Sequence, residues 1–309
     1  MTKIRCHWDA DGLISAYLTS FGVKSPNIEV GIYSKGFGAT YDLGKDDYMV
    51  DMKPQDSSWE GVCIDHHPGH PTLTERKYSL IWDSKPASIL AWQKFKDKIP
   101  KSEWWKTMIG ATGDGQAEKV PFEIWDECPE LMQKFKTYVA HSYGDWKITY
   151  RPGYQLISSG INAFARYGEF DTALRLIKKA NNPSDIINNK EINIQKSKLS
   201  NTKTGDFANV LQDATIFPMK NLTLCIYNSP NIRLSGYIAS VLASQKENIC
   251  VLAVNEDNGS LSLRGDTANY IKGKLNKLDY IHIDGHDGFC GGHIDKHPKY
   301  LYKDLQEIL

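Results

Sequence analysis

Asp65, His66 and His67 stand in a row at the end of a short apolar run, Gly61-Val62-Cys63-Ile64. The run reads as a buried strand. Burying charge is costly, so an acid and two imidazoles at its end should face a cleft, a metal or one another. Three more segments share this character: His7-Trp8-Asp9-Ala10-Asp11-Gly12 after the run Lys3-Ile4-Arg5-Cys6, Asp51 after Tyr48-Met49-Val50, and Asp114 between Gly113 and Gly115 after an apolar helix. Adjacent parallel strands would bring the strand ends to one sheet edge, where ligands bind in open α/β sheets. About six oxygen and nitrogen donors in a small volume suit two divalent cations bridged by a carboxylate. Mixed carboxylate and imidazole donors favour Mn²⁺ or a similar first-row ion over Ca²⁺. Asp9 and Asp11, two apart on an extended segment, would project to the same side and serve one ion each. Asp51 is the candidate bridge. Taken singly, an Asp past a strand end reads as a helix cap; the ordered set of four is what capping does not explain.

The elements that must position these residues follow from pattern. Leu13-Ile14-Ser15-Ala16-Tyr17-Leu18 begins an amphipathic helix, and Ile28–Tyr33 alternates like a strand before a loop bearing Gly36 and Gly38. Tyr78–Trp82 is a further strand, and Pro86 opens a helix with Ile89, Leu90, Trp92 and Phe95 at helical spacing. A helix from Glu103 through Ile109 is expected, with others near 129–142, 153–167, 170–180 and 184–199. Strands alternating with helices predict an α/β protein with a parallel-sheet N-terminal domain covered by helices. The Asn-, Lys-, Ser- and Thr-rich stretch Asn188–Thr204 marks a charged helix or linker. Strands at Leu222–Tyr227, Ile249–Val254, Leu261–Arg264 and, last, Tyr280–Ile283, with helices near Ser235–Gln245 and Ala268–Leu275, predict a smaller C-terminal α/β domain. The expected division is a larger domain over 1–185, a linker over 186–212 and a smaller domain over 213–309.

Composition narrows the classes. With 309 residues, 41% hydrophobic and 24% charged, the chain can hold two cores of ordinary globular character. No run of about 18 apolar residues suggests a membrane helix, and the N-terminus lacks the apolar core of a signal peptide, so a cytoplasmic setting is expected. The six cysteines show no close pairing, and four lie in apolar strand-like runs, which suits reduced core thiols better than a disulfide framework. Net charge is zero, from 37 basic and 37 acidic residues, so tight non-specific binding to long duplex nucleic acid is not favoured. Most of the tryptophans, Trp92 among them, read as core. Tyr33, Lys35 and Tyr41 flank the glycine-bearing loop as candidate substrate contacts.

The His-x-Asp-x-Asp-Gly turn, the lone Asp51, the Asp-His-His triplet and the Gly-Asp turn at Asp114 resemble, in order and spacing, the four motifs of the DHH phosphoesterase superfamily. That resemblance implies that His7, Asp9 and Asp51 hold one metal ion, and that Asp11, Asp51, His66 and Asp114 hold the other. Asp65 is then implied to orient ligands, and His67 to face the scissile phosphate. His70 has no counterpart and reads as a surface residue. Further on, Gly285-His286-Asp287-Gly288-Phe289-Cys290-Gly291-Gly292-His293 resembles the Gly-Gly-Gly-His loop of the DHH-associated C-terminal domain, whose exposed N–H groups would bind an anion. Leu261-Ser262-Leu263-Arg264 resembles the strand from which that domain offers Ser262 and Arg264 to a nucleotide. Two departures stand out: Cys290 replaces the first glycine, and Ile294-Asp295-Lys296 replaces the small residues usual after the His.

The resemblance implies an exonuclease-type phosphodiesterase using two divalent ions, Mn²⁺ first and Mg²⁺ or Co²⁺ as substitutes. Its substrates would be short oligonucleotides, dinucleotides or single-stranded nucleic acid bound between the two domains. Zero net charge leans towards the short ones, because long strands usually meet an extended basic channel. A phosphoanhydride hydrolase acting on pyrophosphate or polyphosphate, and a non-catalytic nucleotide-binding module, are the alternatives.

Overall fold

Five short parallel strands form the sheet of the N-terminal half: β1 (Thr2–Cys6), β2 (Pro26–Val30), β3 (Tyr48–Val50), β4 (Val62–Asp65) and β5 (Ser79–Trp82), in the order β2-β1-β3-β4-β5. The structure is a computed structural model, and it describes residues 1–31, 40, 42–142, 145–200, 205–244, 249–286 and 288–309. Tyr33, Lys35, Gly36, Gly38 and Tyr41 lie outside the described residues. The helices of this half are α1 (Ala10–Ser20), α2 (Ala87–Phe95), α3 (Trp105–Gly113) and α4 (Phe122–Glu127). After them come the strands β6 (Lys134–Ser142) and β7 (Asp145–Pro152), then α5 (Gly153–Arg166), α6 (Phe170–Lys179), α7 (Pro183–Ile187) and α8 (Lys190–Ser200).

Successive strand residues point to opposite faces, and the sheet is built accordingly. Ile4, Cys6, Val50 and Ile64 face a large core shared with α1, α2 and α3. Met49 and Cys63 face a smaller cluster with Leu43, Met52, Trp59 and Tyr78. Helix α1 packs on both α2 and α3 and is buried from Ala10 through Thr19. It therefore shows no polar face, and is a core helix rather than the amphipathic one expected.

Three local expectations are corrected. Helix α1 starts at Ala10, with Asp9 as its cap, so Asp9 and Asp11 do not sit on an extended segment; Asp11 is in the first helical turn. The region 129–142 is not a helix: after a short 3₁₀ turn at Pro129–Met132 it forms β6, which pairs with β7 in a two-stranded sheet. The segment 184–199 is two helices, α7 and α8, separated at Asn188 and Asn189.

Helix α9 (Asp206–Asp213) leads into the second half, which holds β8 (Thr215–Pro218), β9 (Leu222–Tyr227), α10 (Ser235–Ala243), β10 (Cys250–Asn255), β11 (Ser260–Arg264), α11 (Ala268–Leu275), β12 (Ile281–His286), β13 (Phe289–Ile294) and α12 (Leu301–Ile308). Its six strands run β12-β13-β11-β10-β9-β8, with β9 and β10 parallel and the other pairs antiparallel. One face carries Leu222, Leu224, Leu252, Val254, Leu261, Leu263, Cys290 and Ile283 into a core with α11 and α12. The chain divides into two compact units, Met1–Lys136 with Tyr150–Lys196 and Thr137–Thr149 with Ser197–Leu309.

Close packing at the first turn of α1 requires glycine. A Cβ on Gly12 would stand 2.3 Å from the carbonyl oxygen of His7, whereas one on Gly273, mid-way along α11 and exposed, would meet nothing within 4 Å. Gly12→Ala should therefore destabilise the protein by about 2 kcal/mol through overpacking. Gly273→Ala should stabilise it by about 0.5–1 kcal/mol through helix propensity. Denaturant melts of the two variants check both signs; a neutral Gly12→Ala would contradict the packing at this turn.

Candidate metal centre

Register places the first three motifs side by side. Cys6 pairs with Val50 and Val50 with Ile64, so the next residues, His7, Asp51 and Asp65, leave three adjacent parallel strands at one level. The ends stay hydrogen-bonded past the regular ladder: His7 N donates to Val50 O at 3.3 Å, and Asp51 N to Ile64 O at 2.8 Å. Asp51 then turns the chain with φ +56°, in the left-handed region that a side chain adopts at a cost of roughly 1–2 kcal/mol.

Helices bring the remaining donors. Asp9 caps α1 by accepting from Gly12 N at 3.0 Å, and the next N–H, that of Ala10, donates to Asn162 Oδ1 on α5 at 2.8 Å. Asp11 is fully buried and accepts from Ala87 N at 2.7 Å and Ser88 N at 3.1 Å. It thereby caps α2, whose own preceding residue is Pro86 and supplies no side-chain acceptor. Asp114 stands just past the end of α3. A Cβ on Gly110 of α3 would lie 2.5 Å from Ser88 Oγ and 3.0 Å from Asp11 Oδ1, so the glycine lets α3 approach α1 and α2 closely.

The donor atoms converge around Asp51. His7 Nδ1 is 2.7 Å from Asp9 Oδ2 and 3.4 Å from Asp51 Oδ2. His66 Nε2 is 3.2 Å from Asp51 Oδ1 and 3.0 Å from Asp114 Oδ2. Two sets result, His7, Asp9 and Asp51, and Asp11, Asp51, His66 and Asp114; within each set one ligand atom per residue lies within 4.8 Å of the others. Asp51 belongs to both.

Electrostatics reinforce the geometry. Two like charges 4 Å apart repel by about 4 kcal/mol at an effective dielectric of 20, and these carboxylates are crowded. Burial, with Asp114 and Asp51 nearby, raises the Asp11 carboxyl well above its ordinary range. Burial and Asp51 likewise raise Asp114, against the opposing pull of His66. Burial disfavours a charged His66, yet Asp114 and Asp51 overcome it and push its pKa up to about 12. Burial works against an ionised Asp51 too, but His66 and His7 hold it well below the carboxylate range. Asp51 Oδ1 and Asp114 Oδ2 are buried and make no hydrogen bond of good geometry. Oxygens left so, beside imidazole nitrogens and further carboxylates, fit divalent cations.

The rest of the triplet has a different surrounding. Asp65 Oδ1 accepts from His66 N at 2.9 Å and from His67 Nδ1 at 2.7 Å, and His70 Nε2 reaches Asp65 Oδ2 at 2.9 Å. The His70 side chain is only 5% exposed, so it is not the surface residue expected. The signal lay in Pro68-Gly69: Gly69 has φ +82° and folds the chain back on the triplet. Asp65 also lies close enough to Asp51, His66 and His67, and to Cys63 and His70, to share an ion with them. Both of its oxygens, however, are already engaged by nitrogen atoms of the protein. It is not a member of the two sets joined at Asp51, although Asp11, which is, has both oxygens engaged by main-chain N–H groups as well.

In the second unit, Gly291, Gly292 and His293 lie on β13, not in a loop. That strand pairs with β11 on one side and β12 on the other, so its N–H groups belong to the sheet instead of forming a nest. Tyr280–Ile283 is correspondingly not the last strand. Alternation also separates the two glycines. Gly291 stands opposite Ser262, on the face that carries Ser262, Arg264 and, opposite Ser260, His293, and a Cβ there would come no nearer than an ordinary contact of 4.0 Å with Leu261 O. Gly292 faces the core side, where a Cβ would fall 2.0 Å from His282 O. Ser262 Oγ donates to Cys290 O at 3.1 Å, and Arg264 Nη1 donates to Leu263 O at 3.0 Å and Cys290 O at 2.6 Å. His293 is half exposed and sits 3.2 Å from Asp295 Oδ1. Cys290 is buried in the core, which accounts for a thiol in place of glycine.

Cations that bind only the folded form stabilise it. Mn²⁺ at about 100 times its Kd should raise stability by about 2.7 kcal/mol, read as a higher Tm that EDTA reverses. Asp51→Ala, which strips a donor from both sets, should lose the shift; an unchanged shift in that variant would rule out the shared carboxylate.

No protein-family model and no curated protein sequence matches the chain. Solved structures do. RecJ in complex with Mn²⁺ from Thermus thermophilus aligns at 15% identity and TM-score 0.63, covering 99% of this chain and 52% of the other. A DHH domain described as a member of the s1p family of ribosomal proteins aligns at 11% identity and TM-score 0.59, covering 99% and 85%. The pGpG-specific phosphodiesterase PggH from Vibrio cholerae aligns at 14% and 0.54, covering 100% and 99%. The chain thus spans about half the length of the Thermus protein. At these identities the likeness is one of architecture, and it meets the order of the four motifs in the sequence: the fold of this chain is that of the DHH phosphoesterases.

Proposed function

We propose that this protein is a phosphodiesterase that hydrolyses short oligonucleotides or dinucleotides with two divalent cations, Mn²⁺ foremost. The observation that carries the reading is the pair of donor sets joined at Asp51. His7, Asp9 and Asp51 would hold one ion, and Asp11, Asp51, His66 and Asp114 the other. Bound there, the ions would supply Lewis acidity, lowering the pKa of water and offsetting charge on the phosphoryl oxygens.

The protein's own groups do the rest. Asp11 and Asp65, tied to main-chain N–H groups, fix the first turn of α1 and the end of β4 relative to the donors. His67 is the member of the triplet that reaches solvent, with its side chain 33% exposed. Its Nδ1–H on Asp65 turns Nε2 outward, and, against the opposing effect of burial, the Asp65 charge favours the imidazolium, whose Nε2–H would donate to a phosphoryl oxygen as charge develops there. In the second unit, Ser262, Arg264, Gly291 and His293 share one sheet face and would hold the nucleotide end of the substrate; Arg264 offers a guanidinium and Gly291 a place for close approach. Gly292 supports that face from behind.

Two points favour short substrates: a net charge of zero and full-length similarity to a phosphodiesterase described as specific for the dinucleotide pGpG. Supplied with Mn²⁺, the protein should release mononucleotides from labelled di- to pentanucleotides faster than from a long single strand. Turnover of the long strand alone would overturn the substrate length. Asp51→Ala and Asp114→Ala should each lower kcat by more than about 100-fold; unchanged activity in both would remove the assigned centre.

A further inference from the structure

The triplet's carboxylate has a second histidine on it, and this residue belongs to neither of the sets joined at Asp51. Asp65 is 0% exposed, and its partners are donors: His66 N and His67 Nδ1 on Oδ1, and His70 Nε2 on Oδ2. An ionised carboxylate only accepts, so His70 Nε2 carries a hydrogen. In the neutral ring Nδ1 is then an acceptor, and it lies 2.9 Å from the hydroxyl of Tyr78, itself buried. The chain of donors runs from Tyr78 OH to His70, to Asp65, and meets His67, whose side chain alone among the four emerges substantially into solvent. Pro68-Gly69 makes the arrangement possible, and Lys53 Nζ braces that turn at Pro68 O, 3.2 Å away. On the other side of the triplet, Trp82 Nε1 holds the main-chain oxygen of His67 at 2.9 Å. The imidazole of His67 is thus set from its backbone by Trp82 and from its ring by Asp65.

We propose that His70 is a positioning residue for His67. By occupying Asp65 Oδ2 it stops the carboxylate from rotating, keeps Oδ1 on His67 Nδ1, and so holds His67 with Nε2 directed at the substrate phosphate. The proposal rests on the phosphodiesterase reading above. It requires no contact between His70 and either substrate or cation. Groups acting through one intermediary in this way change activity by roughly 10–100-fold when removed, and residues that act as a unit are non-additive.

The test is a double-mutant cycle on the Mn²⁺-supplied protein, with a labelled dinucleotide as substrate. His70→Ala should lower kcat by about 10-fold or more, with KM and the Mn²⁺-induced Tm shift unchanged. His70→Gln, whose amide N–H can replace Nε2–H on Asp65, should recover most of the loss. Tyr78→Phe, which keeps the ring and removes only the hydroxyl, should give a smaller loss of the same kind. In a His67→Ala background, His70→Ala should have no further effect. An equal loss in both backgrounds, or no loss in His70→Ala, overturns the proposal; a lost Mn²⁺ shift would make His70 part of the metal centre instead. If the wild type cleaves no phosphodiester while Mn²⁺ still binds, the functional reading fails, and imidazole ¹⁵N shifts then decide the positioning separately. A His67 Nδ1–H that is fixed in the wild type and becomes mixed in His70→Ala supports it, and ring nitrogens in the same state in both proteins overturn it.

Discussion

Buried negative charge is the constraint on which the first unit turns. Asp11, Asp51 and Asp65 are all at most 1% exposed, and Asp114 lies beside them. The fold meets this load in two ways. Asp11 and Asp65 are answered inside the protein, by main-chain N–H groups and, for Asp65, by two imidazoles. Asp51 and Asp114 each keep a buried oxygen with no hydrogen bond of good geometry. The first pair is held by the fold itself, and the second pair keeps oxygens that a cation would satisfy. Removing Asp11 or Asp65 would disturb the strand and helix ends; removing Asp114 would relieve repulsion, whereas removing Asp51 would cost His66 and His7 their partner.

The strand ends were legible in the sequence because a buried run that stops on Asp or His must bring that charge to something that answers it. That they would share one level was not legible, since it depends on the register Cys6–Val50–Ile64 between segments far apart in the chain. Where the reading failed, local pattern was overruled by pairing. Residues 134–142 include apolar groups at spacings that a helix would also use, but their partner is β7. Phe289–Ile294 contains two adjacent glycines and looks like a loop until β11 and β12 are set on either side of it. His70 was missed for a different reason: its role comes from a turn that sends it back to Asp65, and no periodicity carries that.

The second unit shows how one motif can hold two kinds of necessity. Gly292 is required by the sheet, because any side chain would strike the main chain of β12. Gly291 meets no such obstacle, so packing alone does not call for glycine there. Adjacent identical residues in a sequence thus answer to different pressures, and strand alternation is what tells them apart.

The backbone of Asp51 has a consequence for how such a chain changes over time. Its left-handed conformation would suit glycine best, so the residue that the fold prefers at this position is not the residue that the proposed centre would use. Backbone stability favours glycine there, and on the proposed function the need for a shared carboxylate opposes it. In a lineage that stopped using the centre, this position would be free to drift to glycine or asparagine before the neighbouring Val50 and Ile64, which the core holds in place whatever the chemistry. On the proposed function, an aspartate in a left-handed turn would thus be a mark of continued use, written into the main chain.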